Sequence, residues 1–276
     1  MFDMRRGRLA ALTTAVALVA AAVAGGTAVG EAPAPRPELL PDLVPARAYE
    51  LRVHERRGGR RELRFATAVF NRGTGPMEMY PMRGNDCDGD GNPRNDRLAK
   101  QRVYGDDNGD GRFDRLDDET STARVAGCMI FHRAHDHWHF DDFASYRIVT
   151  HDTGQVVSVA NKVSFCVEDL EELEPRLRGQ PRVSYFDFCD PVHPQGISVG
   201  WADVYSADLP GQFVPLRGVR DGVYCLEMVT DPANQLRETN DANNVSRTRI
   251  RLRGDAVRRV AGGCAAPAPA PVPAPA

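Results

Sequence analysis

Apolar residues along this chain recur in short runs, and most of the runs alternate with polar residues. Alternation sets one face of a strand against a core, whereas a helix returns to its face after about 3.6 residues. Residues 63–70 (LRFATAVF) predict a strand, closed by turn formers at 71–76 (NRGTGP). Residues 143–150 (FASYRIVT) predict a second, with 156–165 as its pairing partner. Two more are expected at 222–229 (GVYCLEMV) and 245–252 (VSRTRIRL), with turn material at 231–232 and 240–244. The one plausible helix covers 168–177, and no internal repeat is evident. The pattern predicts an all-β protein: a β-sandwich core with long metal-binding loops and little helix.

The ends of the chain read differently. Arg5, Arg6 and Arg8 precede an apolar run over 9–24 and then small residues. This is the pattern of a secretory signal peptide, expected over 1–30. A retained membrane anchor fits less well, because a span needs about 20 apolar residues. Residues 31–40 read as a Pro-rich linker and 265–276 as an Ala/Pro tail that favours extended polyproline conformation. The folded body is expected over 41–264.

Export changes the reading of the cysteines. Cys87, Cys128, Cys166, Cys189, Cys225 and Cys264 all lie in the exported part. In an oxidising compartment they predict three disulfides, with the pairing open. Hydrophobic residues make up 42% and charged residues 26% of the 276, which suits a chain that buries a core. A net charge of −3 speaks against a nucleic-acid partner.

Three constellations carry chemistry. Residues 132–139 (HRAHDHWH) hold four of the seven histidines. On an extended strand His135, His137 and His139 share a face and can converge on one ion. Imidazole suits copper, zinc, nickel and iron alike, so ligand type alone leaves the metal open. Residues 106–117 follow the calcium-loop spacing: Asp106, Asn108, Asp110, the Arg112 carbonyl, Asp114 and Asp117 as oxygen donors, with Gly111 at the sharp turn. Asp86, Asp88 and Asp90 form a poorer copy, with Arg97 where the last acid belongs. Finally, only Lys100 and Lys162 among 35 basic residues are lysine. Lysine, unlike arginine, can lose its proton when desolvated and become a nucleophile.

Taken together these segments resemble lysyl oxidase. The likeness begins at 41–45 (PDLVP), passes through LRFATAVFNRGTG, the histidine run and 162–169 (KVSFCVED), and continues through 195–198 (QGIS) and 201–208 (WADVYSAD). It ends with 238–244 (ETNDANN) and 262–264 (GGC). The resemblance implies a secreted, bacterial-type copper amine oxidase. His135, His137 and His139 match the family's copper ligands, and His132 a motif histidine that is not one. Lys162 and Tyr205 match the residues that form the lysine tyrosylquinone cofactor. The implied partners are dioxygen and a primary amine, or lysine side chains of an extracellular protein, with no stable membrane span. Asp203 and Asp208 flank Tyr205 as candidate bases, and Asp203 shares its strand face.

The chain also departs from the animal pattern. Trp201 and Gly211 replace a cysteine pair around the tyrosine, and Ala134 replaces a cysteine between histidines. The acidic loops look like an insertion between the first strand and the histidine segment. A competing reading is a non-enzymatic immunoglobulin-like surface module that binds calcium or another metal, because the turn at 71–75 and the ETNDANN segment occur in such modules too.

Overall fold

Two antiparallel sheets face each other across one core in the computed structural model, which describes residues 36–84, 86–160 and 163–266. The strands are β1 (Glu38–Leu39), β2 (Leu43–Pro45), β3 (Tyr49–Arg56), β4 (Arg60–Asn71), β5 (Met77–Met82) and β6 (Asp96–Gly105). They continue with β7 (Thr120–His132), β8 (His137–Thr150), β9 (Val156–Val159), β10 (Val163–Phe165), β11 (Glu171–Glu172) and β12 (Gln195–Ile197). The last are β13 (Trp201–Tyr205), β14 (Phe213–Pro215), β15 (Gly222–Thr230), β16 (Val245–Arg253) and β17 (Ala256–Arg259). Among the described residues the larger sheet runs β12-β5-β6-β7-β8-β15-β16-β17, and β1, β9 and β10 pair off that path. The smaller sheet runs β11-β13-β4-β14, with β2 and β3 also on β4.

The fold is all-β, as the alternation predicts. Phe65 on β4 and Tyr146 on β8 meet edge to face at 5.0 Å between the sheets, and both are fully buried. Burying an apolar ring of this size contributes about 2–3 kcal/mol of transfer free energy. Leu63, Met77, Met79, Ile148 and Leu226 extend the same core. Among the described residues strand pairing begins with β1, inside the stretch read as a linker: Glu38 lies opposite Gly105 and Leu39 opposite Tyr104.

Two expectations from the sequence need correction. The stretch 156–165 is two strands, not one. Val159 lies opposite Arg147 but Val163 opposite Ala144, so the registers of β9 and β10 on β8 differ by one residue. The expected helix over 168–177 does not form. Leu170 N donates to Ala202 O at 2.9 Å and Leu173 N to Gly200 O at 2.7 Å, so these amides serve a neighbouring strand. Pro175 supplies no amide and disfavours helix at the residue before it. The described residues hold one short 3-10 turn, Asp241–Asn243.

The six cysteines pair as Cys87–Cys128, Cys166–Cys189 and Cys225–Cys264. The first joins the acidic segment after β5 to β7, and the second joins the end of β10 to the loop before β12. Among the described residues no helix is long and apolar enough to cross a membrane.

Candidate metal and cofactor site

The histidine run is built on a hairpin rather than a single strand. His132 ends β7, His137 begins β8, and the two face each other across the ladder. The turn between them is closed by His135 N and Asp136 N, both donating to His132 O at 2.9 Å. Asp136 has φ 59°, a left-handed conformation that Asp tolerates better than most residues. His135 therefore sits in the turn, which corrects the expectation of three imidazoles on one strand face.

The imidazoles nevertheless converge. His139 Nε2 lies 3.0 Å from His137 Nε2 and 3.3 Å from His135 Nδ1. His132 stacks on His139 at 4.8 Å and approaches His135 at 4.1 Å. Ring nitrogens of His132, His135 and His139 all lie within 4.8 Å of one another. The hairpin thus brings His132 into ligand range, although the resemblance leaves it out of the ligand set. A turn reading of Arg133–Asp136 would have exposed this, since it makes 132 and 137 cross-strand partners.

Burial and the neighbouring rings lower the pKa of His137 and His139. Burial foremost, then His137, His132 and His135, pushes the His139 pKa down to about 4, against a backbone hydrogen bond with Ser164. His137 is lowered for the same first reason, then by His135 and His132, and backbone hydrogen bonds with His135 and Cys189 oppose it. Neutral rings offer lone pairs to a cation. Cys166 and Cys189 sulfurs also lie near His137, but both are in the disulfide and offer no thiolate.

The tyrosine lies deeper. Tyr205 is 3% exposed on β13 and its hydroxyl donates to Asp203 Oδ2, two residues earlier on the same strand face. Asp203 is 1% exposed, and its carboxyl is held well above the usual carboxylate range, by burial first and then by Glu168. Backbone hydrogen bonds with Val204 and Glu168 pull the other way. Asp208, the other candidate base, points outward and pairs with Arg52. Phe165 on β10 lies 3.8 Å from the Tyr205 ring, while its neighbour Ser164 bonds to His139. This three-residue strand therefore touches both centres. Lys162, which precedes it in the chain, lies outside the described residues.

The two acidic loops behave differently from each other. In residues 106–117, Asp110 is engaged by the Arg112 guanidinium at 2.9 Å, and this bond is the main cause of its lowered pKa. Asp117 is exposed, and Asp118 turns inward instead to accept from Asp107 N and Asp114 N. In the other loop, carboxylate oxygens of Asp86, Asp88, Asp90 and Asp96 all come within 4.8 Å of one another. Asp96 is a member that the loop spacing did not single out.

Comparison with known proteins now bears on the hairpin and the tyrosine strand. The family model "Lysyl oxidase" matches residues 118–262, just over half of the chain. The chain belongs to the lysyl oxidase family. It is 32% identical over 125 residues to "Protein-lysine 6-oxidase" of Sus scrofa, covering 45% of this chain and 47% of that protein. The Homo sapiens protein of the same name matches at 32%, with 28% of its length covered. "Lysyl oxidase homolog 3" of Homo sapiens is 32% identical over 129 residues, 16% of its length. The chain thus spans about half or less of the length of these curated relatives. The lysyl oxidase match takes in the hairpin, β10 and β13, and both acidic loops precede it.

Proposed function

We propose that this protein is a secreted copper- and quinone-dependent oxidase of primary amines. Family membership supports amine oxidation as the general chemistry. The observation that carries the specific reading is β10, which bonds to His139 through the Ser164 backbone and sets Phe165 against the Tyr205 ring. Lys162 directly precedes that strand in the sequence. An all-imidazole donor set with ring nitrogens 3.0–3.3 Å apart fits copper. His135, His137 and His139 are its proposed ligands, with His132 in reserve. Lys162 and Tyr205 are the proposed source of lysine tyrosylquinone.

When bound, copper would supply oxidation chemistry with dioxygen, and the quinone a carbonyl reactive toward amines. The protein's part is placement and proton handling. Asp203 Oδ2 accepts the Tyr205 hydroxyl hydrogen and is the proposed general base for the substrate α-proton. Burial makes that carboxylate a stronger base than an exposed one. The Cys189 backbone orients His137 and the Ser164 backbone His139, so each metal-facing nitrogen is set by a partner on its ring. The balanced outcome is that amine, dioxygen and water give aldehyde, ammonia and hydrogen peroxide. A primary amine, or lysine side chains of an extracellular protein, would be the substrate. Three disulfides fit an exported chain from which residues 1–30 are removed.

Peptide mapping of copper-loaded protein tests the reading. It should yield one cross-linked species containing Lys162 and Tyr205. Lys162→Arg should keep copper and fold but lose the quinone absorbance and hydrogen peroxide release, because guanidinium stays protonated. Quantitative recovery of unmodified Lys162 and Tyr205 peptides from active enzyme would exclude the cofactor. A copper-loaded protein that releases no hydrogen peroxide with any primary amine would favour the non-enzymatic module.

A further inference from the structure

The loop between β5 and β6 carries a feature that amine oxidation does not use. Asp86, Asp88 and Asp90 follow one another at alternate positions, and Gly89 and Gly91 take left-handed conformations between them (φ 75° and 84°). Counted along the sequence the loop looks incomplete, because Arg97 stands where a closing acid belongs. The structure closes it one residue earlier. Asp96, the first residue of β6, is fully buried, and it brings a carboxylate oxygen within 4.8 Å of those of the other three.

Asp96 is the second and independent observation. Its Oδ2 accepts from Cys87 N at 3.1 Å, while its buried Oδ1 has no hydrogen-bond partner. Leaving a buried polar atom unmatched costs about 1–3 kcal/mol, and more when the group is charged. Burial, followed by the charge of Asp88, raises its pKa. A buried acid that leaves one oxygen unmatched and clusters with three further carboxylates calls for a balancing cation. Asp106 in the other loop also leaves an oxygen unmatched, but Asp110 there is already neutralised by Arg112.

We infer that Asp86, Asp88, Asp90 and Asp96 form a divalent-cation site of the calcium type. Four hard oxygen donors in a glycine-turned loop suit calcium, which accepts irregular coordination, better than magnesium, which needs near-ideal octahedral geometry. The site also has something to brace. Asp96 pairs with Ile130 on β7, Asn95 O accepts from Phe131 N at 2.7 Å, and Cys87 is bonded to Cys128. His132 is the next residue after Phe131. A cation here fixes the strand end from which the histidine hairpin springs.

Calcium chloride added to chelator-treated, full-length exported protein tests this by calorimetry and thermal melting. Calcium should bind with an affinity of about 10⁻⁴–10⁻³ M, as in extracellular modules, and raise Tm, with magnesium far weaker. Asp96→Asn should lose calcium affinity at least tenfold. The same variant should melt higher than wild type without calcium, because a buried repulsion is relieved. A merely structural Asp96 would do the opposite. Exposed Asp90→Asn, which leaves the buried group intact, should also lose affinity and serves if Asp96→Asn does not fold. A calcium response that survives both variants but disappears in Asp106→Asn would place the cation in the other loop and overturn the assignment. Absence of any heat or Tm change at millimolar calcium would overturn it too.

Discussion

The histidine hairpin and the tyrosine strand are the two halves of the candidate site, and they are built on opposite terms. The hairpin tip is exposed from His132 to Asp136, and only His139 is buried. Its geometry rests on a turn and on ring contacts. Tyr205 and Asp203 lie in the floor of a sheet, each at most 3% exposed, on a strand paired with β4 along four residues. A metal site can be assembled at an accessible tip, because the ion itself pulls its ligands together. A cofactor made from the protein's own side chains gains nothing from an ion at the moment of substrate attack, so its surroundings must be rigid and dry beforehand.

Substitutions in the buried half should have the largest effect. Tyr205→Phe should abolish hydrogen peroxide release and the quinone band while copper content stays at wild-type level. Loss of copper in that variant would mean the two halves are not separable. Asp203→Asn comes next: it retains an acceptor for Val204 and Glu168 amides but no base. We expect kcat to fall about 10²–10⁴-fold, with copper unchanged and the limb of the pH profile assigned to the base gone. A fall in KM alone would move the base elsewhere.

The exposed half should respond in copper affinity. His139 is common to both possible ligand triads, so His139→Ala should strip the metal. His132→Ala and His137→Ala then decide which triad operates, by elemental analysis. The true ligand's variant should lose copper outright, and the other should weaken binding only about 10–100-fold, as for a supporting partner. The smallest effect is a pH dependence of the copper-free protein. His139 titrates near 4 when folded and near 6.5 when exposed, so between those values the unfolded chain binds more protons. Stability should therefore fall as pH drops from about 6.5 to about 4. A His139→Asn variant should show a flatter Tm profile across that window, and an unchanged slope would remove His139 as its source.

Much of this was legible in the chain. The apolar runs mark β4, β15 and β16 to within a few residues and the end of β8, which begins earlier, at His137. The shared face of Asp203 and Tyr205 follows from a spacing of two on a strand. The misses have local causes. Alternation continues through His135 and predicts strand there, but a left-handed Asp136 turns the backbone. The stretch 168–177 has helical spacing, yet its amides are claimed by residues 200–202. Asp96 was invisible to a count along the loop because the fold, and not the spacing, carries it into the cluster. The disulfide pairing needed the fold, because each bond joins cysteines 23 to 41 residues apart.

Cys166–Cys189 follows Phe165 at one end and carries at the other the backbone that bonds to His137. One covalent link thus borders both halves of the site. Both halves of the site thus share one redox-sensitive tether, and opening it would loosen the segments beside them together.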